Sequence, residues 1–94
     1  MTLQSFKEST STGDIPNDVS VYVQALWYDA RGDWHKAHKL IQDLTDKNAA
    51  WLHAYLHRKE GDTFNADFWY TRSGRKRPAI SLDEEWEQLT VAFL

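Results

Sequence analysis

The feature that most constrains the fold of this chain is a spacing pattern that occurs twice. An alanine is followed seven residues later by Gly-Asp, and a second alanine stands four residues beyond the aspartate. The first copy comprises Ala25, Gly32, Asp33 and Ala37, and the second comprises Ala54, Gly61, Asp62 and Ala66. Glycine readily adopts the left-handed conformation that ends a helix, and aspartate caps the next one. Alanine lets two helices approach closely, so the pattern predicts two helix–turn–helix hairpins.

Apolar residues recur at helical spacing in the segments that flank both Gly-Asp turns. We predict helices from Val19 to the turn at Gly32, from Asp33 to Leu44, from about Ala49 to Glu60, and from Asp62 to Gly74. No segment alternates apolar and polar residues in the way that strands require. The predicted fold class is therefore all-α, built from two stacked hairpins.

The two ends of the chain carry signals for additional helices. "MTLQSFKE" predicts a short helix from Thr2, and the turn-rich "STSTGDIPN" that follows predicts a loop. Ser81 and Glu84 form the Ser-x-x-Glu capping pattern at the start of a final amphipathic helix. We therefore divide the chain into an N-terminal helix and loop, residues 1–18, and a single helical-repeat domain, residues 19–94.

Over roughly Val19 to Gly74 the chain resembles the tetratricopeptide and Sel1-like class of helical-hairpin repeats. Those repeats also combine a small residue, a glycine turn followed by a polar and often aromatic residue, and a second alanine. Trp34 occupies the aromatic position, whereas Thr63 departs from it, and the spacing is shorter than the usual tetratricopeptide period. "ALWYDARGDW", "HAYLHRKEGD" and "NADFWYTRSGR" are also similar to short bacterial proteins without an assigned function. The resemblance implies a hairpin fold and assigns no catalytic residue.

Composition narrows the classes of function. The 94 residues include no Cys, which removes disulfides and thiolate zinc sites and favours a cytoplasmic location. The N-terminus shows no signal-peptide pattern and no apolar run is long enough for a membrane span. The net charge of −3 makes nucleic acid an unlikely partner, and we interpret the basic run at Arg72, Arg75, Lys76 and Arg77 as local charge balance.

The stretch "WLHAYLHRKEGD" contains the main candidate site. His53, His57 and Glu60 fall in one narrow sector of the predicted helix, and His38 on the neighbouring helix is expected to approach His57. Histidines four residues apart can share a metal ion, but no established metal motif is present. The interpretation we favour is packing, with His57 facing the interior and His53 and Glu60 solvated. No metal site and no cofactor are assigned.

Two further sets of residues are candidates for binding. Arg58 either pairs with the capping Asp62 or forms an anion clamp in a groove with His57 and Asn65. Aromatic residues at helical spacing are usually core, which we expect for Trp34 and Trp69. Trp51 and Tyr55 lie opposite the histidines and are candidates for an exposed contact patch, or for covering by the terminal helix.

Together these features favour a small helical-repeat module that binds a protein, a peptide or a small polar ligand. The candidate ligand-binding residues are His53, His57, Arg58, Glu60 and Asn65. The alternative is a small metal-dependent or acid–base enzyme that uses His53, His57, Glu60 and His38.

Overall fold

The computed structural model describes all residues from Met1 to Leu94 and contains six α-helices and no strand. The all-α prediction is confirmed. The helices are α1 Leu3–Thr12, α2 Val21–Ala30, α3 Trp34–Ile41, α4 Lys47–Lys59, α5 Thr63–Arg72 and α6 Leu82–Phe93. None of them is both long enough and apolar enough to cross a membrane.

Every helix begins at a Ser, Thr or Asp whose side chain accepts a hydrogen bond from a backbone N–H in the first turn. These caps are Thr2, Ser20, Asp33, Asp46, Asp62 and Ser81. The glycine that ends α1 is Gly13, so the "STST" assigned to a loop is helical. The hydroxyls of Ser9, Thr10 and Thr12 donate to carbonyls three residues back, as in the 2.6 Å bond from Thr10 Oγ1 to the Lys7 carbonyl.

The two Gly-Asp turns share one backbone conformation. Gly32 and Gly61 have φ values of 83° and 87°. The N–H of each following aspartate bonds a carbonyl five residues back, over 2.9 Å from Asp33 to Tyr28 and 3.0 Å from Asp62 to His57. This is the bond of a Schellman ending, which satisfies the last carbonyls of a helix. α2 packs on α3 and α4 packs on α5, and the four alanines of the pattern are fully buried between them.

The final helix closes the bundle, because α6 packs against α1, α2 and α4. Trp86 stacks on the fully buried Phe6 of α1, and its indole Nε1–H donates to the Leu26 carbonyl over 3.0 Å. Glu85 is also buried and accepts hydrogen bonds from Tyr70, Trp51 and Arg58. Segments 1–18 and 19–94 therefore contribute to one shared core.

Candidate metal centre

Three histidines meet where α3 packs on α4. His38 lies in the last turn of α3, and His53 and His57 occupy successive turns of α4. The Nε2 atoms of His38 and His53 are 2.9 Å apart, so one ring donates a hydrogen bond to the other. The ring centroid of His57 is 4.9 Å from that of His53 and 5.2 Å from that of His38. One ring nitrogen from each residue lies within 4.8 Å of the other two.

Two tryptophans form the walls of this histidine triad, His38, His53 and His57. Trp34 stacks on His38 with ring centroids 4.9 Å apart, and Trp69 stacks on His53 at 4.0 Å. Both indoles are only partly buried, so the prediction that they lie in the core is wrong. They pack against the edge of the core, where they cover the faces of the His38 and His53 rings.

His57 is anchored by Glu60, one turn along the chain. Its Nδ1 lies 2.6 Å from Glu60 Oε1, and the Glu60 side chain is exposed. A carboxylate at Nδ1 favours the tautomer in which that nitrogen carries the proton, which leaves the Nε2 lone pair available. Glu60 and Asp62 each place a carboxylate oxygen within 4.8 Å of a His57 ring nitrogen. The triad therefore has an acidic rim, which attracts cations.

The structure corrects the expected position of His53. We predicted a solvated residue, but His53 is only 5% exposed, about as buried as His57. The reason is Trp69, which α5 lays across the ring of His53. His57 is interior, as predicted, and Glu60 is exposed, as predicted. His38 approaches both histidines of α4 and hydrogen-bonds His53 rather than His57.

The surroundings of His53 and His38 lower the pKa of both imidazoles. Burial, followed by the proximity of His38 and His57, lowers the pKa of His53 to about 3. The pKa of His38 is also lowered, first by burial and then by His57. At neutral pH both rings are therefore in the form that ligates metal ions, because a protonated imidazole has no free lone pair.

Arg58 lies outside this site. Its Nη1 donates to Glu85 of α6 over 2.9 Å, and its Nη2 donates to the Ile80 carbonyl. It therefore forms neither the predicted pair with Asp62 nor the predicted anion clamp with His57 and Asn65. The Asp62 side chain instead accepts from the Asn65 backbone N–H, as the cap of α5. Arg58 connects α4 to α6.

Trp51 and Tyr55 are also placed differently from the predicted contact patch. Both are buried, with 6% and 2% exposure. Trp51 donates to Glu85 over 3.2 Å and contacts Phe93 edge to face, so covering by the terminal helix is the correct alternative for Trp51. The Tyr55 hydroxyl donates to Asp29 of α2 over 2.9 Å. An exposed patch at these two residues is excluded.

The chain also has a cavity of about 410 Å³, open to solvent, between α1, α2, α4 and α6. Its walls are mainly polar, with Lys7, Asp29, Lys59 and Asp83 among them, and no histidine lines it. The triad and this cavity are therefore separate features, and the cavity supplies no substrate space beside the imidazoles.

No protein-family model matches the chain, and no curated protein or solved structure shows significant similarity to it. The relationship to tetratricopeptide and Sel1-like repeats accordingly stays a prediction.

Proposed function

We propose that this protein is a small metal-binding module whose histidine triad holds one divalent transition-metal ion. The observation that supports the proposal is the convergence of three ring nitrogens within 4.8 Å of one another. Imidazole is a preferred ligand of zinc, copper and nickel, whereas magnesium and calcium prefer oxygen. The ion would therefore come from the first group.

The closest pair of ligand atoms fits such an ion after a small side-chain movement. Tetrahedral nitrogen ligands about 2.0 Å from zinc lie roughly 3.3 Å from each other. The His38 and His53 Nε2 atoms are 2.9 Å apart, so they need to separate by only a few tenths of an ångström. Binding through both Nε2 atoms would require the donor ring to carry its proton on Nδ1 instead, because only an unprotonated nitrogen ligates the ion.

Glu60 and the two tryptophans would support the bound ion. A carboxylate on the second nitrogen of a histidine ligand fixes the ring and raises its basicity, which is the relation of Glu60 to His57. The stacked indoles of Trp34 and Trp69 restrict rotation of the His38 and His53 rings. A pre-oriented ligand set loses less entropy when it binds.

Three histidine ligands leave a fourth position open, as in catalytic zinc sites. A catalytic centre also needs space for a substrate, and the 410 Å³ cavity is lined by other residues. We therefore favour binding over catalysis. A cytoplasmic location stays our expectation, because a chain without Cys suits a reducing compartment.

The test is a thermal-shift titration of chelator-treated protein with Zn²⁺, Ni²⁺ or Mg²⁺. We expect Zn²⁺ and Ni²⁺ to raise the melting temperature and Mg²⁺ to leave it unchanged. An ion at one hundred times its Kd stabilises the native state by about 2.7 kcal/mol. If the histidines serve only packing, Zn²⁺ and Ni²⁺ will have no effect.

His35 provides a matched control, because it is an exposed histidine on the same helix as His38. His38→Gln should abolish the thermal shift and His35→Gln should preserve it. His38 is partly exposed, so its substitution is tolerated more easily than substitution of His53. A shift that survives His38→Gln, or that requires His35, would contradict the assignment of the site.

A further inference from the structure

Helix α5 presents two phenylalanines to solvent. Phe64 is 90% exposed and Phe68 is 50% exposed, although the chain buries most of its other large aromatic residues. The opposite side of α5 packs inward through Ala66 and Tyr70. Exposed single apolar residues are ordinary, but two phenylalanines one helical turn apart form a patch of the kind that marks an interaction surface.

Arg72 extends this patch by one more turn, so that Phe64, Phe68 and Arg72 make a continuous stripe along α5. The Arg72 guanidinium lies 5.6 Å from the centre of the Phe68 ring and 5.5 Å from that of Trp69. It has no carboxylate within 4 Å, whereas Arg77 is paired with Asp67. The stripe therefore ends in a cation that is free to contact a partner.

The charges around the stripe are segregated along the helix axis. Glu60 and Asp62 precede α5, and Lys76 follows it without a carboxylate partner, whereas the Arg75 guanidinium lies 3.6 Å from the centre of the Trp51 ring. The surface is therefore acidic at one end, aromatic in the middle and basic at the other end. Such a surface is complementary to a reversed copy of itself, as a two-fold symmetric interface requires.

We propose that the stripe is the contact between two copies of this chain, with the α5 helices packed antiparallel about Phe68. In that arrangement the residues four positions on either side of Phe68 face one another, so Phe64 meets the partner's Arg72. Beyond the helix ends, the acidic segment that precedes α5 lies toward the partner's Lys76. Each pair occurs twice, and the helix dipoles also run in opposite directions.

The size of the stripe predicts a reversible dimer. Phenylalanine side chains bury roughly 150–250 Å² each, so the exposed parts of four of them supply several hundred Å². Stable specific interfaces bury about 1,200–2,000 Å² in total. The remainder must come from Arg72, Trp69 and the charged ends, which places the contact near the lower limit and makes it concentration-dependent.

An acidic partner protein is the alternative occupant. A purely acidic ligand would match Arg72 and Lys76 but would be repelled by Glu60 and Asp62 at the other end of the same surface. A second copy satisfies both ends, so we favour it.

The experiment is sedimentation equilibrium of the chelator-treated protein from about 10 µM to about 1 mM, a range that includes typical Kd values of small interfaces. We expect the mass to rise from the 11.0 kDa of one chain toward twice that value. The double variant Phe64→Ser/Phe68→Ser should stay at one chain throughout, and Arg72→Glu should weaken association at least tenfold. Circular dichroism would verify that the variants stay helical.

Val91→Ser is the matched control, because Val91 is an exposed apolar residue on α6 outside the stripe. It should associate like the wild type. A wild type that remains a monomer at all concentrations would overturn the proposal, as would a double variant that still dimerises. The chelator separates this contact from metal bridging, so dimers that form only with added Zn²⁺ would also contradict it.

Discussion

At the residue scale, His53 is a polar side chain that is buried and contributes to packing. Its ring is enclosed by Trp69 on one face and by His57 and His38 at its other sides. Its Nε2 has a partner in His38, so no hydrogen-bonding group is left unsatisfied inside the bundle. Any substitution at this position therefore removes both packing and a hydrogen bond.

We predict that His53→Ala lowers the free energy of unfolding by roughly 1–3 kcal/mol, and that His57→Ala has a similar effect. His35→Ala should stay within about 0.5 kcal/mol of the wild type, because His35 is exposed. Urea denaturation of metal-free protein measures all three. A neutral His53→Ala would mean that the ring is solvated, as its sequence position alone suggested.

The low pKa of His53 predicts that the metal-free protein loses stability in acid. The pKa of His53 falls from 6.5 to about 3 on folding. Between these pH values the unfolded chain therefore binds a proton that the native state does not bind. Stability is therefore complete above about pH 6.5 and decreases as the pH falls toward 3. His38, whose pKa is also lowered, acts in the same direction.

Denaturation midpoints measured between pH 7 and pH 4 test this dependence. His53→Gln removes the titrating group and should flatten the decrease. The Glu60 carboxylate raises the pKa of His38, opposite to the effect of burial. Glu60→Gln should therefore lower that pKa further and make the loss of stability in acid steeper. An equal slope for wild type and His53→Gln would show that other groups control the acid sensitivity.

At the element scale, the Gly-Asp turns were readable from the sequence because each residue acts locally. Glycine is required by the positive φ, and aspartate by the unpaired N–H groups of the next helix. The C-terminal end of α1 was predicted wrongly, also from a local signal. Ser and Thr usually indicate a loop, but here the hydroxyls bond carbonyls within the helix and Gly13 ends it.

The turn at Gly61 joins α4 to α5, and its backbone conformation predicts how substitutions there change stability. A Cβ at this position would meet no atom within 4 Å, so the cost of a side chain comes from the φ of 87° alone. Gly61→Val should therefore lower stability by more than about 1 kcal/mol. Gly61→Asn should cost less, because asparagine tolerates the left-handed region.

Thermal melts of these two variants give the comparison. Equal melting temperatures for Gly61→Val and the wild type would contradict the left-handed turn. The same pair of substitutions at Gly32 should follow the same order, since a Cβ there also meets open space.

At the scale of the whole molecule, the sequence predicted the helices and the membership of the histidine cluster, but not the burial of His53. The rotation of α3 against α4 and the position of Trp69 depend on how the two hairpins pack, which no local pattern encodes. Arg58 was misassigned, and the alternatives for Trp51 were left open, for a related reason. Their partner is Glu85, a residue of α6 that reads as one of several solvated acids and is buried only in the assembled bundle.

The closure by α6 also has a kinetic consequence. Contacts within each hairpin join residues close in sequence, whereas the ion pair between Lys7 and Glu87 spans 80 positions. Forming a long loop costs more chain entropy than forming a short one. We therefore expect α4 and α5 to pair early and α6 to dock late, so that Ala66→Gly slows folding while Leu89→Ala mainly speeds unfolding in a stopped-flow chevron. Until α6 docks, the Arg58 guanidinium lacks the Glu85 carboxylate and stays hydrated, so the ion pair between α4 and α6 forms only in the last step of folding.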